Sequence, residues 1–296
     1  MVIDDSENDT WGHDRFVFDQ VIVEFGDPKF EIRENGPCEV SLKVTTSYRD
    51  SRLFQTYTLY PDDPRIHVSV RLRLNEKLVQ VKLLFDSGIR DAELIREVPG
   101  GLVNCETHGR EEPMQRFMIA AKDGAGLAVL NDCKYSASIK DGVLAFIAAR
   151  SCGYADHRGV QNDRHEYSME HLDIGVQKFR YDIMPYSGDL PAVFRAAEEL
   201  NAEFITIHET YHNGPLPQSA SNVGQLSDNV TVSALKPAED GRGVIVRLSE
   251  IAGKEADVTA TILGTEIAAH VKPFDILSYR IFEGSAQRVD FTEKAK

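Results

Sequence analysis

The stretch from Val103 to Met118, VNCETHGREEPMQRFM, holds one Cys, one His, three Glu, one Gln and two Arg in sixteen residues. Glu111 and Glu112 stand side by side, with His108 three positions before the first. Two carboxyls can cleave a glycosidic bond when they converge on it from opposite sides, about 5 Å apart in a retaining enzyme. Neighbouring strand residues point to opposite faces, so Glu111 and Glu112 cannot both aim at one sugar unless Pro113 turns the backbone. Together with Arg110 and Arg116 they read more simply as a surface ion network.

The second concentration is HRGVQNDRHEYSMEHLDIG, His157 to Gly175. Zinc helices place two His at i and i+4 on one face. His165 and His171 are six apart, which along a strand separates them by about 20 Å. His171 and Asp173 share a strand face, yet two ligands do not make a site, and exposed strand histidine is the reading that wins. DGAGLAVLNDCKY, Asp123 to Tyr135, is no phosphate loop: Asp123-Gly124 reads as a hairpin turn before a strand. Asn131, Asp132, Lys134 and Tyr135 then form a polar cluster at the strand end, where Asn and Asp serve turn chemistry. No nucleophile elbow, P-loop or dinucleotide fingerprint occurs.

The elements that would position these residues are strands. CEVSLKVTTSY, FQTYTLYP and RIHVSVRLRL alternate with period two. In the last, Ile66, Val68, Val70, Leu72 and Leu74 face one way while His67, Arg71 and Arg73 face the other. One helix is expected in GDLPAVFRAAEELN, with Asp189 as N-cap, Pro191 in the first turn, and Val193, Phe194, Ala197 and Leu200 toward a core. HNGPLPQSASNVGQLSDN reads as a linker. NVTVSALK, GVIVRLSEI, DVTATIL and FDILSYRIF then give at least four strands of a small second sandwich.

Composition bounds the rest. Of 296 residues, 42% are hydrophobic and 27% charged, an ordinary globular balance. A net charge of −14 argues against nucleic acid, which needs clustered cations. The apolar runs fall short of the roughly 18 residues of a spanning helix. Cys38, Cys105, Cys133 and Cys152 contain no C-x-x-C pair, so reduced, buried thiols are expected. With no signal peptide, the expectation is a cytoplasmic protein without a membrane partner.

Several stretches in order resemble the β-rich C-terminal half of the α-mannosidases of glycoside hydrolase family 38. They are NDTWGHD, ENGPCEVSLKV, LYPDDPRIHVSVRL, KLLFD, HGREEPMQRFM, GLAVLNDCKYSASI, AAEELN and NVTVSALKPAEDGRGVIVRLSE. The motif-matched residues are Trp11, His13, His108, Glu111, Gln115, Arg116, Asn131, Asp132, Lys134 and Tyr135. Phe117 stands where the family pattern suggests Trp, and Ser136 where it suggests Gly. The resemblance implies an all-β chain: a galactose-mutarotase-like β-supersandwich over residues 1–207, one short helix within it, a linker over 208–224, and a small β-sandwich over 225–296. It also implies that the family's nucleophilic Asp and zinc lie in a catalytic barrel preceding Asn8, so that no catalytic residue, metal ligand or cofactor is assigned to this chain.

What remains for the chain, on this resemblance, is to pack on that barrel and border the site of an α-mannoside. The segment RSCGYADHRGVQNDRH supplies the wall candidates Asp156, His157, Arg158, Asp163, Arg164 and His165; a surface loop is the alternative. Two other functions stand beside this one. A stand-alone carbohydrate-binding module would need exposed aromatics, and the chain has one Trp and ten Tyr. A mutarotase-like epimerase would need a His and a Glu converging in the sandwich groove, with His108, His165 and His171 as the available bases.

Overall fold

The computed structural model describes residues 1–8, 10–12, 15–105, 108–154, 170–202 and 204–295. The chain divides into two compact units, one built from Met1–Val98, Val103–Asp189 and Arg195–Glu203, the other from Pro99–Leu102, Leu190–Phe194 and Phe204–Lys296. The architecture is all-β: a large supersandwich followed by a small β-sandwich.

Among the described residues, the larger unit is built on two antiparallel sheets. The nine-stranded sheet runs, edge to edge, Gly26–Asn35, Val40–Tyr48, Ser51–Leu59, Ile66–Leu74, Gly175–Tyr186, Ala125–Asn131, Phe117–Lys122, Glu93–Val98 and Gly101–Cys105. The six-stranded sheet runs Glu112–Pro113, Ser136–Lys140, Val143–Arg150, Val79–Asp86, Val2–Asp4 and Val21–Val23. Strand alternation explains how they meet. Val68, Val70, Leu72 and Leu74 are buried while Ser69, Arg71 and Arg73 are exposed, as period two requires. Val79, Val81, Leu83 and Phe85 face the same core from the smaller sheet. Phe146 centres it, with ring centroids 5.4 Å from Phe85, 5.8 Å from Tyr181 and 6.1 Å from Phe179. Gln55 donates to the Tyr181 hydroxyl at 2.8 Å, so this phenol enters the core with its polar tip satisfied. Burial pushes its pKa well above the ordinary phenol value.

In the larger unit the hairpin turns Asp123-Gly124 (φ 52° and 78°) and Asp141-Gly142 (φ 53° and 74°) use left-handed backbone at both central residues. A Cβ on Gly142 would lie 1.9 Å from the Ile89 carbonyl oxygen, so that turn admits glycine alone. The helix spans Leu190–Asn201 with Pro191 in its first turn and buries Val193, Phe194, Ala197 and Leu200, as expected. Its last turn is satisfied from the sheet: Arg180 Nη2 donates to the Leu200 carbonyl at 3.0 Å.

The second unit pairs a four-stranded sheet, Val230–Pro237, Val244–Glu250, Ile276–Phe282 and Ser285–Val289, with the hairpin Ala256–Ile262 and Thr265–Val271. Val246, Leu248, Ile262, Ile267, Val271 and Leu277 form its core. Thr265–Val271 and Ser285–Val289 are not among the four segments read from the sequence; polar SAQRV carries little β-branched or aromatic signal. Glu250 ties the unit's turns together. Its carboxylate accepts N–H bonds from Ala252 at 2.7 Å and from Gly253 and Phe274 at 2.8 Å, plus the Asn229 amide at 3.0 Å. Burial raises the pKa of this carboxyl, but the converging donors win and hold it below the usual value.

All four cysteines are free, and the expectation that they are buried holds only for Cys152; Cys38 and Cys133 are exposed and Cys105 is half-buried. No described helix is long and apolar enough to cross a membrane.

Candidate functional site

Glu111, just before the short strand Glu112–Pro113, and Glu112 diverge. Glu111 meets Lys82 Nζ and accepts the Ser136 hydroxyl at 3.1 Å, whereas Glu112 turns to Arg96 at 3.1 Å. The pair therefore cannot flank one bond. Of the expected surface network Glu111 is the interior member: its side chain is 9% exposed and that of its partner Lys82 7%. Lys82 lies on the strand Val79–Asp86, on the sheet face away from the core, and its ammonium also donates to the Phe18 carbonyl at 2.8 Å. The N-terminal segment covers that face. Glu111 N–H donates to the Phe16 carbonyl at 2.7 Å, Val17 bridges Arg110, and the Arg110 guanidinium lies 4.6 Å from the Phe16 ring centroid.

Arg116 belongs to a second, half-buried network. Its backbone N–H donates to Glu97 Oε2 at 2.8 Å and its Nε to the same carboxylate at 3.0 Å, while Glu198 of the helix stands 3.8 Å away. Gln115 offers its carbonyl to the Asn131 amide at 3.1 Å, and Asn201 Nδ2 donates to the Asn131 carbonyl at 3.0 Å. Asp132 pairs with Arg180 at 3.1 Å. Lys134 donates its backbone N–H to Asn131 Oδ1 and rests its ammonium 4.8 Å from the Phe179 ring centroid. Tyr135 is exposed and gives its carbonyl to Met114. These motif residues thus meet around one strand end and the helix C-terminus, where each serves a turn or a cap.

The other candidate area is the strand end at Arg150. Its guanidinium grips the fully buried Asp5 carboxylate at 2.6 and 3.2 Å and donates to the Thr10 carbonyl at 3.2 Å. Its backbone N–H donates to Asp173 Oδ2 at 2.9 Å, and the Thr10 hydroxyl donates to the Gly153 carbonyl at 3.3 Å. Tyr154 N–H donates to the Glu170 carbonyl at 3.0 Å, and Gly153 bridges His171. The motif segment carrying Trp11, a residue 63% exposed, is therefore fastened at Thr10 to the first root of the wall candidate loop, and that root holds the second. His13, Asp156, His157, Arg158, Asp163, Arg164 and His165 lie outside the described residues. Among the described residues no three His, Cys, Asp or Glu side chains gather as a metal requires, so no zinc chemistry is assigned to any of them.

One cluster has no counterpart in the sequence reading. His67 sits between two carboxylates, Nδ1 3.0 Å from Asp182 and Nε2 3.2 Å from Asp63, with Tyr60 edge-on at 5.4 Å. Arg65 closes the group on Asp63 at 2.6 Å, Asp182 at 3.8 Å and Glu199 of the helix at 2.8 Å. Hydrogen bonding by Arg65 holds the Asp63 carboxyl far below the carboxylate range, while burial pushes Asp182 up from its ordinary value. Both ring nitrogens of His67 are engaged by carboxylates, which fixes the ring against the sheet. The i, i+2, i+4 spacing of Asp63, Arg65 and His67 was the available signal. The candidate base His108 stands 3.9 Å from Glu112, which Arg96 already holds.

With this geometry in place, similarity to known proteins decides the family. Residues 6–158 match the glycosyl hydrolases family 38 C-terminal domain, and residues 229–294 match the family 38 C-terminal beta sandwich domain. The chain belongs to glycosyl hydrolases family 38. It is 26% identical over 222 residues to alpha-mannosidase 2C1 of Homo sapiens, which covers 70% of this chain and 20% of that protein. Alpha-mannosidase G of Dictyostelium discoideum is 25% identical over 244 residues, or 75% of this chain and 21% of the relative. The chain thus spans about a fifth of the length of the curated relatives it matches. An alpha-mannosidase structure from Enterococcus faecalis V583 shares the fold, with a TM-score of 0.72 at 13% identity over 86% of this chain and 35% of that one. The family-38 chain described here therefore carries both C-terminal domain types.

Proposed function

We propose that this chain is the non-catalytic C-terminal portion of a retaining, zinc-dependent α-mannosidase acting on α-mannosides in cytoplasmic mannose metabolism. In this reading a catalytic barrel lies in sequence outside these residues, and the supersandwich packs on it and borders the sugar. The observation that carries the proposal is the ordered pair of family-38 C-terminal matches at 6–158 and 229–294. A retaining hydrolase needs two free carboxyls about 5 Å apart. Glu111 and Glu112 are each committed to a cation instead.

Zinc in the barrel would supply Lewis acidity toward sugar hydroxyls. The work of this chain is positional. Arg150, fixed by Asp5 and Asp173, sets the roots of the segment carrying Asp156, His157, Arg158, Asp163, Arg164 and His165, which we assign to the wall of the sugar site. In the same reading the units are a supersandwich over 1–207 and a small sandwich over 225–296, joined by the linker 208–224.

Hydrolysis of 4-nitrophenyl α-mannoside with added zinc tests this, using the 296-residue chain beside a longer form carrying the preceding sequence. Turnover by the longer form alone is the expected result. Turnover by the 296-residue chain overturns the non-catalytic assignment.

A further inference from the structure

The outer face of the nine-stranded sheet holds a groove of about 640 Å³ lined by Arg33, Lys43, Arg71, Lys178 and Arg180, with Asp132 as the one carboxylate among its described residues. A cationic concavity is unexpected on a chain of net charge −14. The cations divide by what they touch. Arg33 and Lys43 share Glu31 at 2.5 and 3.5 Å, and Arg180 takes Asp132 at 3.1 Å. Arg71 and Lys178 have no carboxylate partner among the described residues.

These two are also direct cross-strand partners, Lys178 on Gly175–Tyr186 opposite Arg71 on Ile66–Leu74. Like charges directly opposite each other destabilise a sheet. The groove floor beside them is suited to a small polyol. Phe54 presents a half-buried ring with Lys43 at 5.5 Å and Arg71 at 6.0 Å from its centroid, and the hydroxyls of Thr56 and Ser69 flank it. Thr56 and Ser69 face each other in register on neighbouring strands. A volume of this size lies in the range of small-molecule sites, roughly 300–1,000 Å³.

We propose that this groove binds a phosphorylated sugar. Its phosphate sits between Arg71 and Lys178 and relieves their repulsion, and its ring and hydroxyls rest on Phe54, Thr56 and Ser69. A guanidinium offers a planar fork for phosphate oxygens and an ammonium a compact point charge. The site stands on the groove's own charges and geometry, so it is independent of the α-mannosidase reading.

Titration calorimetry on the 296-residue chain, with mannose 6-phosphate, free mannose, inorganic phosphate and an oligoglutamate peptide, tests the proposal. Mannose 6-phosphate is expected to bind at least about tenfold more tightly than mannose or inorganic phosphate, more weakly as salt is raised, and about tenfold more weakly to the Arg71→Gln/Lys178→Gln double variant. The unliganded double variant is expected to melt no lower than the parent, and mannose 6-phosphate to raise the melting temperature of the parent alone. Those two melts separate loss of a site from loss of folding. Equal binding of inorganic phosphate overturns the sugar assignment. Binding of oligoglutamate in preference to mannose 6-phosphate, no binding at about 10 mM ligand, or undiminished binding by the double variant overturns the site.

Discussion

Two charged regions of the larger unit behave in opposite ways. Under the N-terminal segment the conspicuous charges have found their complements: Lys82 with Glu111 and Arg150 with Asp5. On the outer face of the nine-stranded sheet Arg71 and Lys178 stand opposite each other with no carboxylate among the described residues. The difference lies in solvent. Burying a charge costs several kcal/mol unless it is paired and hydrogen-bonded, so interior charges are matched or absent. An exposed cation bears no such penalty and can remain open to a ligand. Charges that look catalytic in the sequence are thus paired with counter-ions, and the open ones are those the sequence makes least conspicuous.

The largest expected effect comes from breaking a matched pair. Lys82→Met leaves the Glu111 carboxylate buried beside an apolar chain and should cost about 3–5 kcal/mol in urea unfolding of the 296-residue chain. The double variant Lys82→Met/Glu111→Leu should recover much of that loss, because no charge is left buried alone. An effect below about 1 kcal/mol for the single variant would place the pair with ordinary surface ion pairs.

Arg150→Met is expected next, at about 3 kcal/mol, since it strands the Asp5 carboxylate. It should also bare the backbone near Gly153 to limited proteolysis, because Thr10 is fastened there through Arg150.

A smaller effect, about 2 kcal/mol, is expected for Glu250→Gln in the second unit, where an amide cannot serve as acceptor on both atoms. Its pH dependence has a definite sign. The folded carboxyl lies below its ordinary value of 4.5, so its contribution is full above that pH and fades as pH falls through the folded pKa. Urea midpoints of parent and variant should therefore converge on acidification. A constant gap would assign the effect to packing.

The smallest effect belongs to the unmatched cations. Arg71→Gln and Lys178→Gln should each change stability by less than about 0.5 kcal/mol, with the sign toward stabilisation. Losses above about 1 kcal/mol would mean these cations are structural as well, and the contrast between the two regions would fail.

Much of the fold could be read along the chain. Alternation at Val68, Val70, Leu72 and Leu74 located the core face of a strand, and Pro191 with Val193, Ala197 and Leu200 located the helix. The interior of the candidate site could not. Lys82 in VQVKLLFD reads as the wet position of an alternating strand, and it is buried because Phe18, 64 residues earlier, crosses above it. Glu111 looked superficial for the same reason. Local spacing shows which face a residue takes, whereas a segment folded back from the N-terminus decides whether that face stays wet. The His67 constellation was half legible: Asp63, Arg65 and His67 are close in sequence, but Asp182 arrives from the neighbouring strand.

The most direct test of the claim that the paired carboxylates are scaffold is the Glu111→Gln variant in the longer form that the proposed function calls for, measured for both kcat on 4-nitrophenyl α-mannoside and thermal midpoint. The account predicts a clearly lowered midpoint with kcat, taken well below it, within about threefold of the parent. A kcat reduced by about a thousandfold at an unchanged midpoint would contradict it and make Glu111 part of the reaction.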